Sequence, residues 1–153
     1  MSKRLTPIFV TKVLVAVDGS EHSKKAIELG VDLASKWNAE IYFIHVMQET
    51  DVPESFREYA KAEDMDFGSY FKAFNEQFLV PAEDRAKAAG IKKVELIATS
   101  GDPADEILKA AETYQADLMI LGSRGLGRFS RAFMGSVTTK VLNHAKCTCI
   151  AVK

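Results

Sequence analysis

Short, nearly continuous apolar runs alternate along the chain with longer stretches in which apolar residues recur every three or four positions. Lys12 to Asp18 is a β-branched run closed by a carboxylate. It lacks the polar alternation of a strand with one wet face, so it predicts a strand covered on both faces, as in a parallel sheet. Gly19 then offers a turn, Ser20 an N-cap, and Glu21 a favourable charge in the first turn of a helix to about Trp37. Ile27, Gly30, Val31, Ala34 and Trp37 share one helical face and predict its buried stripe, with Asn38 as its end. Ile41 to Val46 predicts a second strand. Met47 to Asp66 holds Pro53 and many charges and reads as a loop with broken helix. Phe67, Tyr70, Phe71, Phe74 and Phe78 predict a helix over 67–89 that Pro81 should kink or divide, with Gly90 just past its end. Val94 to Thr99 is a third strand. Asp102 and Pro103 open the next helix as N-cap and first residue, with Ile107, Leu108, Ala111 and Tyr114 on its apolar face. Leu118 to Gly122 predicts a fourth strand, Ser136 the cap of a helix to about Ala145, and Cys147 to Val152 a fifth strand.

Strands and helices alternating in this way predict an α/β fold, an open parallel sheet with right-handed crossovers and helices on both faces. The 153 residues suit one domain spanning 1–153, and no repeat or low-complexity tract divides them. A net charge of −1 argues against nucleic acid or an anionic membrane surface as the general partner. No apolar run approaches the roughly 20 residues of a membrane span, and the first residues lack the apolar core of a signal peptide. Cys147 and Cys149 share a strand face and read as reduced, packed thiols of a cytoplasmic protein. His22, His45 and His144 have no spacing that suggests a metal site, and no metal ligands are expected.

Charge distribution changes the picture at one place. From Leu118 onward there is no Asp or Glu, while Arg124, Arg128, Arg131, Lys140, Lys146 and Lys153 are basic. That acid-free stretch also holds Gly122, Gly125, Gly127 and Gly135, which let a ligand approach the backbone, followed by a predicted helix N-terminus at Ser136. Orphan N–H groups and the helix dipole favour an anion there, so the stretch is a candidate phosphate site. In an open parallel sheet it would face Asp18 across a crevice if the first and fourth strands are neighbours. It is not a P-loop, because Gly127 is followed by Arg128 and Phe129 where Lys and Ser or Thr are needed. Gly125-Leu126-Gly127-Arg128-Phe129-Ser130 also fails the dinucleotide fingerprint at its last position.

The spacing Gly122-x2-Gly125-x9-Gly135-Ser136 resembles the ATP-binding signature of the universal stress protein family, G-x2-G-x9-G-(S/T). Val15 to Ser20 is similar to that family's first strand and aspartate, His45-Val46 to the end of its second strand, and Gly101-Asp102-Pro103 to its third-helix start. The resemblance covers nearly the whole chain. It implies a Rossmann-like, adenine nucleotide alpha hydrolase-like sheet of order 3-2-1-4-5. It implies that Ala16 and Val17 line the base pocket, Asp18 meets the ribose or adenine side, and Val46 packs on or bonds to the adenine. Leu121 and Gly122 would form the floor. Gly125, Gly135, Ser136 and Val137 would hold the phosphates of ATP, with Mg or Mn riding on them. It further implies a homodimer through the last strand, although Thr148 stands where many members carry proline. No catalytic base is evident, so the expected role is a stress-response regulator or sensor with at most slow hydrolysis. A true ATPase or nucleotidyl transferase, and a nucleotide-free interaction module using the aromatic helix, are the alternatives.

Overall fold

The computed structural model describes residues 9–48, 54–63, 68–125 and 134–153, with residues 56, 57, 59, 60 and 70 entering by their backbone alone. Five strands form one parallel sheet: β1 (Lys12–Ala16), β2 (Glu40–Met47), β3 (Val94–Ser100), β4 (Leu118–Gly122) and β5 (Thr148–Val152), in the order β3-β2-β1-β4-β5. Helix α1 (Glu21–Trp37) joins β1 to β2. Helices α2 (Glu54–Ala62), α3 (Gly68–Phe74) and α4 (Val80–Ala88) lie between β2 and β3. Helix α5 (Pro103–Thr113) precedes β4, and α6 (Ser136–His144) precedes β5.

The apolar runs become strands because both faces of the sheet are covered. Val13 and Val15 face α1 and α4 in one core layer with Ile27, Val31 and Leu79. Leu14 points the other way, into a layer with Ile107, Met119 and Val141. This period of two is the side-chain alternation of a strand. α1 lies close over β1, since a Cβ on Gly30 would meet Val15 Cγ2 at 2.6 Å. At the other end of the sheet Asp117 pins the start of β1, accepting hydrogen bonds from the Thr11 and Lys12 amides, each at 2.9 Å, and from Thr11 Oγ1 at 2.8 Å.

Several local readings need correction. The ladder of β1 ends at Ala16, although Val17 N–H still donates to Ile44 O at 2.7 Å. Trp37 is 48 % exposed rather than buried, because the last turn of α1 reaches the rim of the sheet, three residues before β2 begins. The stretch after β2 contains a regular helix, α2. The aromatic helix is interrupted just before Pro81, where the backbone between α3 and α4 widens into a π-helical turn over Asn75–Leu79 and Val80 N–H reaches back to Asn75 O. A proline in α geometry would clash with the carbonyl four residues earlier, and the wider turn relieves that conflict.

The direction of winding reverses between β1 and β4, which are hydrogen-bonded neighbours. The connections leaving their carboxyl ends therefore diverge and open a crevice, the usual place for a ligand in such sheets.

Candidate functional site

The crevice is a cavity of about 370 Å³, at the low end of the range for small-molecule sites. Ala16, Val17, Asp18, Val46, Leu121, Gly122, Gly125, Gly135, Ser136 and Val137 all line it. The ten positions singled out in the sequence thus come together, from β1, β2, β4, the loop after β4 and the start of α6.

On the β1 side a chain of short hydrogen bonds fixes Asp18. Its amide donates to Ser23 Oγ at 3.1 Å, and its Oδ1 accepts from Ser20 N–H at 2.9 Å. Ser20 also caps α1, its Oγ accepting from Ser23 N–H at 3.1 Å. The carboxylate is thereby turned toward the opposite loop. A Cβ placed on Gly125 would lie 2.9 Å from Asp18 Oδ2, so only glycine permits this approach without displacement.

On the β4 side the two ends of the glycine-rich loop are tied together. Gly135 N–H donates to Ser123 O at 2.8 Å, and Thr138 Oγ1 donates to Gly122 O at 2.7 Å. Ser123 N–H donates in turn to Val152 O at 2.7 Å, which locks the loop to β5. Gly122 sits against the start of α1, since a Cβ there would meet His22 Cβ at 2.7 Å. Arg128 and Arg131 fall outside the described residues. Arg124 is half-buried and lines the cavity.

The helix N-termini differ in their capping. α1 and α5 are capped by the side chains of Ser20 and Asp102. At α6 the cap residue is Gly135, which has no side chain to offer, and Ser136 is the first helical residue rather than the cap. The first amides of α6 therefore open toward the cavity that Ser136, Val137 and Thr138 line, with the positive end of the helix dipole behind them. An anion there gains about 0.3–1 kcal/mol from the dipole, and up to about 2 when partly buried.

His45 and Phe74 are among the lining residues that the sequence reading did not assign to the site. His45 is 6 % exposed, and its Nδ1 lies 2.8 Å from Val17 O. A carbonyl only accepts, so Nδ1 carries the proton. Phe74 stacks on the His45 ring, centroid to centroid at 3.5 Å with planes 12° apart. The sequence signal was present in the Phe74 and Phe78 pair, one helical turn apart, but periodicity does not say which end of a sheet a helix crosses. Met47, Gln48, Pro103 and Ile107 also line the cavity.

Comparison with known proteins identifies the family and the fold. Residues 10–153 match the family model described as the universal stress protein family. The chain is 32% identical over 153 residues to universal stress protein YxiE of Bacillus subtilis, covering 93% of this chain and 98% of that protein. Among solved structures it is similar to hypothetical protein MJ0577, with a TM-score of 0.78, 25% identity, and 95% and 97% of the two chains covered. It is also similar to a universal stress protein solved in complex with cAMP, with a TM-score of 0.65, 26% identity, and 94% and 97% covered.

Proposed function

The chain belongs to the universal stress protein family, and on that premise we propose that its crevice binds an adenine nucleotide, with ATP as the ligand. The observation that carries the reading is the start of α6, which has no side-chain cap and opens into the cavity that Asp18 also lines. Phosphates would lie on the amides of Gly125, Ser136 and Val137 and on the Ser136 hydroxyl. A divalent ion, Mg or Mn, would ride on those phosphates. Asp18 would face the sugar, because a carboxylate beside phosphates repels them. The base would lie among Val17, Val46 and Leu121. The relative solved with cAMP supports an adenine nucleotide as the ligand class.

The role that follows is regulation or sensing in the stress response, with at most slow hydrolysis. Asp18 is the one carboxylate among the described lining residues, and its Oδ1 is engaged by the Ser20 amide. Among the described residues no second acid lines the cavity to orient water. Pairing of two copies through β5, an edge strand, would give the homodimer. Isothermal titration with ATP and magnesium should give saturable binding in the micromolar to sub-millimolar range, weakened in Ser136→Ala. Absence of heat and of thermal shift with ATP, ADP, AMP and cAMP alike would overturn the proposal.

A further inference from the structure

Within the helical excursion between β2 and β3, Phe74 and Phe78 lie against the carboxyl ends of β2 and β1, and Phe74 lines the crevice. Phe78 lies directly on Gly19, whose hypothetical Cβ would sit 3.0 Å from the ring. Phe74 packs on Phe78 at 4.5 Å between centroids and stacks flat on His45. Its ring is half-buried, and it lines the cavity. Pro81 and the π-helical turn that accommodates it set this arrangement. The turn begins at the residue after Phe74 and ends at Leu79, which is fully buried and anchors the helix to the sheet. π-helical turns are rare and concentrate at functional sites.

We propose that Phe74 is a base-binding residue that selects purine over pyrimidine nucleotides. The inference rests on the nucleotide reading above and adds a residue and a specificity to it. An aromatic ring held on one side by His45 is already ordered, so little side-chain entropy remains to be lost when a base packs against it. A purine offers more ring area than a pyrimidine to the same wall, and contact area sets the gain. Anchoring of phosphate at α6 and packing of the base at Phe74 are separable, because a ligand without a base can reach only the first.

The test compares ATP, CTP and inorganic tripolyphosphate by isothermal titration on the wild-type protein, Phe74→Ala, Phe74→Leu and Phe74→Trp. Loss of a base-stacking ring weakens binding on the order of tenfold. Phe74→Ala and Phe74→Leu should each weaken ATP by about that factor and leave tripolyphosphate unchanged, narrowing the preference for ATP over CTP. Phe74→Trp should keep the preference. Phe74→Leu retains apolar bulk, so it reads the contact even if Phe74→Ala fails to fold. An equal loss for ATP and tripolyphosphate, or unchanged ATP affinity in Phe74→Leu, overturns the assignment while the nucleotide reading stands. A wild-type protein that binds tripolyphosphate but no nucleotide overturns both.

Discussion

Gly125→Ala tests the crevice without any ligand. The new methyl carbon would lie 2.9 Å from Asp18 Oδ2, inside ordinary carbon–oxygen contact. Either the loop retreats or the Asp18 side chain rotates. Rotation of about 30° off its rotamer costs roughly 0.5–1.5 kcal/mol. It also strains the 2.9 Å bond from Ser20 N–H to Oδ1, itself worth about 0.5–1.5 kcal/mol net. The combined loss is therefore on the order of 1–3 kcal/mol, or about 2–12 °C in Tm for a protein of this size. A double-mutant cycle isolates the clash: Gly125→Ala should destabilise the protein with Asp18 present and have little effect in the Asp18→Ala background. Denaturant midpoints of the four proteins, without nucleotide, measure it. The same loss in both backgrounds refutes the contact between Asp18 and the loop, and with it the geometry of the crevice. With ATP present, Gly125→Val should bind far more weakly than wild type while still folding.

Other outcomes follow from the packing and the titrating groups. Gly30→Ala sets a helix-propensity gain of about 1 kcal/mol against overpacking of about 1–3 kcal/mol at the 2.6 Å contact with Val15, so the urea midpoint should fall, and a rise would refute the close packing of α1 on β1. Burial acts to raise the Asp117 carboxyl, but its hydrogen bonds from Thr11 and Lys12 outweigh that and hold it below the ordinary range. Its stabilisation is present above the unfolded value of about 3.9 and is lost as pH falls through the lower folded value. Asp117→Asn should accordingly flatten the acid limb of the stability profile as pH falls below about 4, and an unaltered limb would count against the pin at β1. Burial, helped by the neighbouring Cys147, pushes the Cys149 thiol up to about 11, and burial also raises Cys147. Both should label slowly with a disulfide reagent at neutral pH until the protein is unfolded, and rapid labelling of the native protein would contradict their packing.

Much of the architecture was legible in one dimension because its causes are local. A strand buried on both faces needs a continuous apolar run, as at Val13–Val17, and a parallel sheet needs a helix between such runs. Asp102-Pro103 and Asn38 mark helix ends by hydrogen bonding and backbone preference within a few residues. The glycine and serine spacing from Gly122 to Ser136 likewise lies within one segment. Tertiary structure decided what depends on residues far apart in the chain. Gly135 rather than Ser136 became the cap because Gly135 N–H is drawn to Ser123 O across the loop. The need for glycine at 125 comes from Asp18, more than 100 positions earlier. The aromatic helix looked from its period like core or a partner face, since a periodic pattern records that one side is buried but not against what. Its placement over the ends of β1 and β2, with Phe74 on His45, follows from three-dimensional packing and the π-helical turn before Pro81.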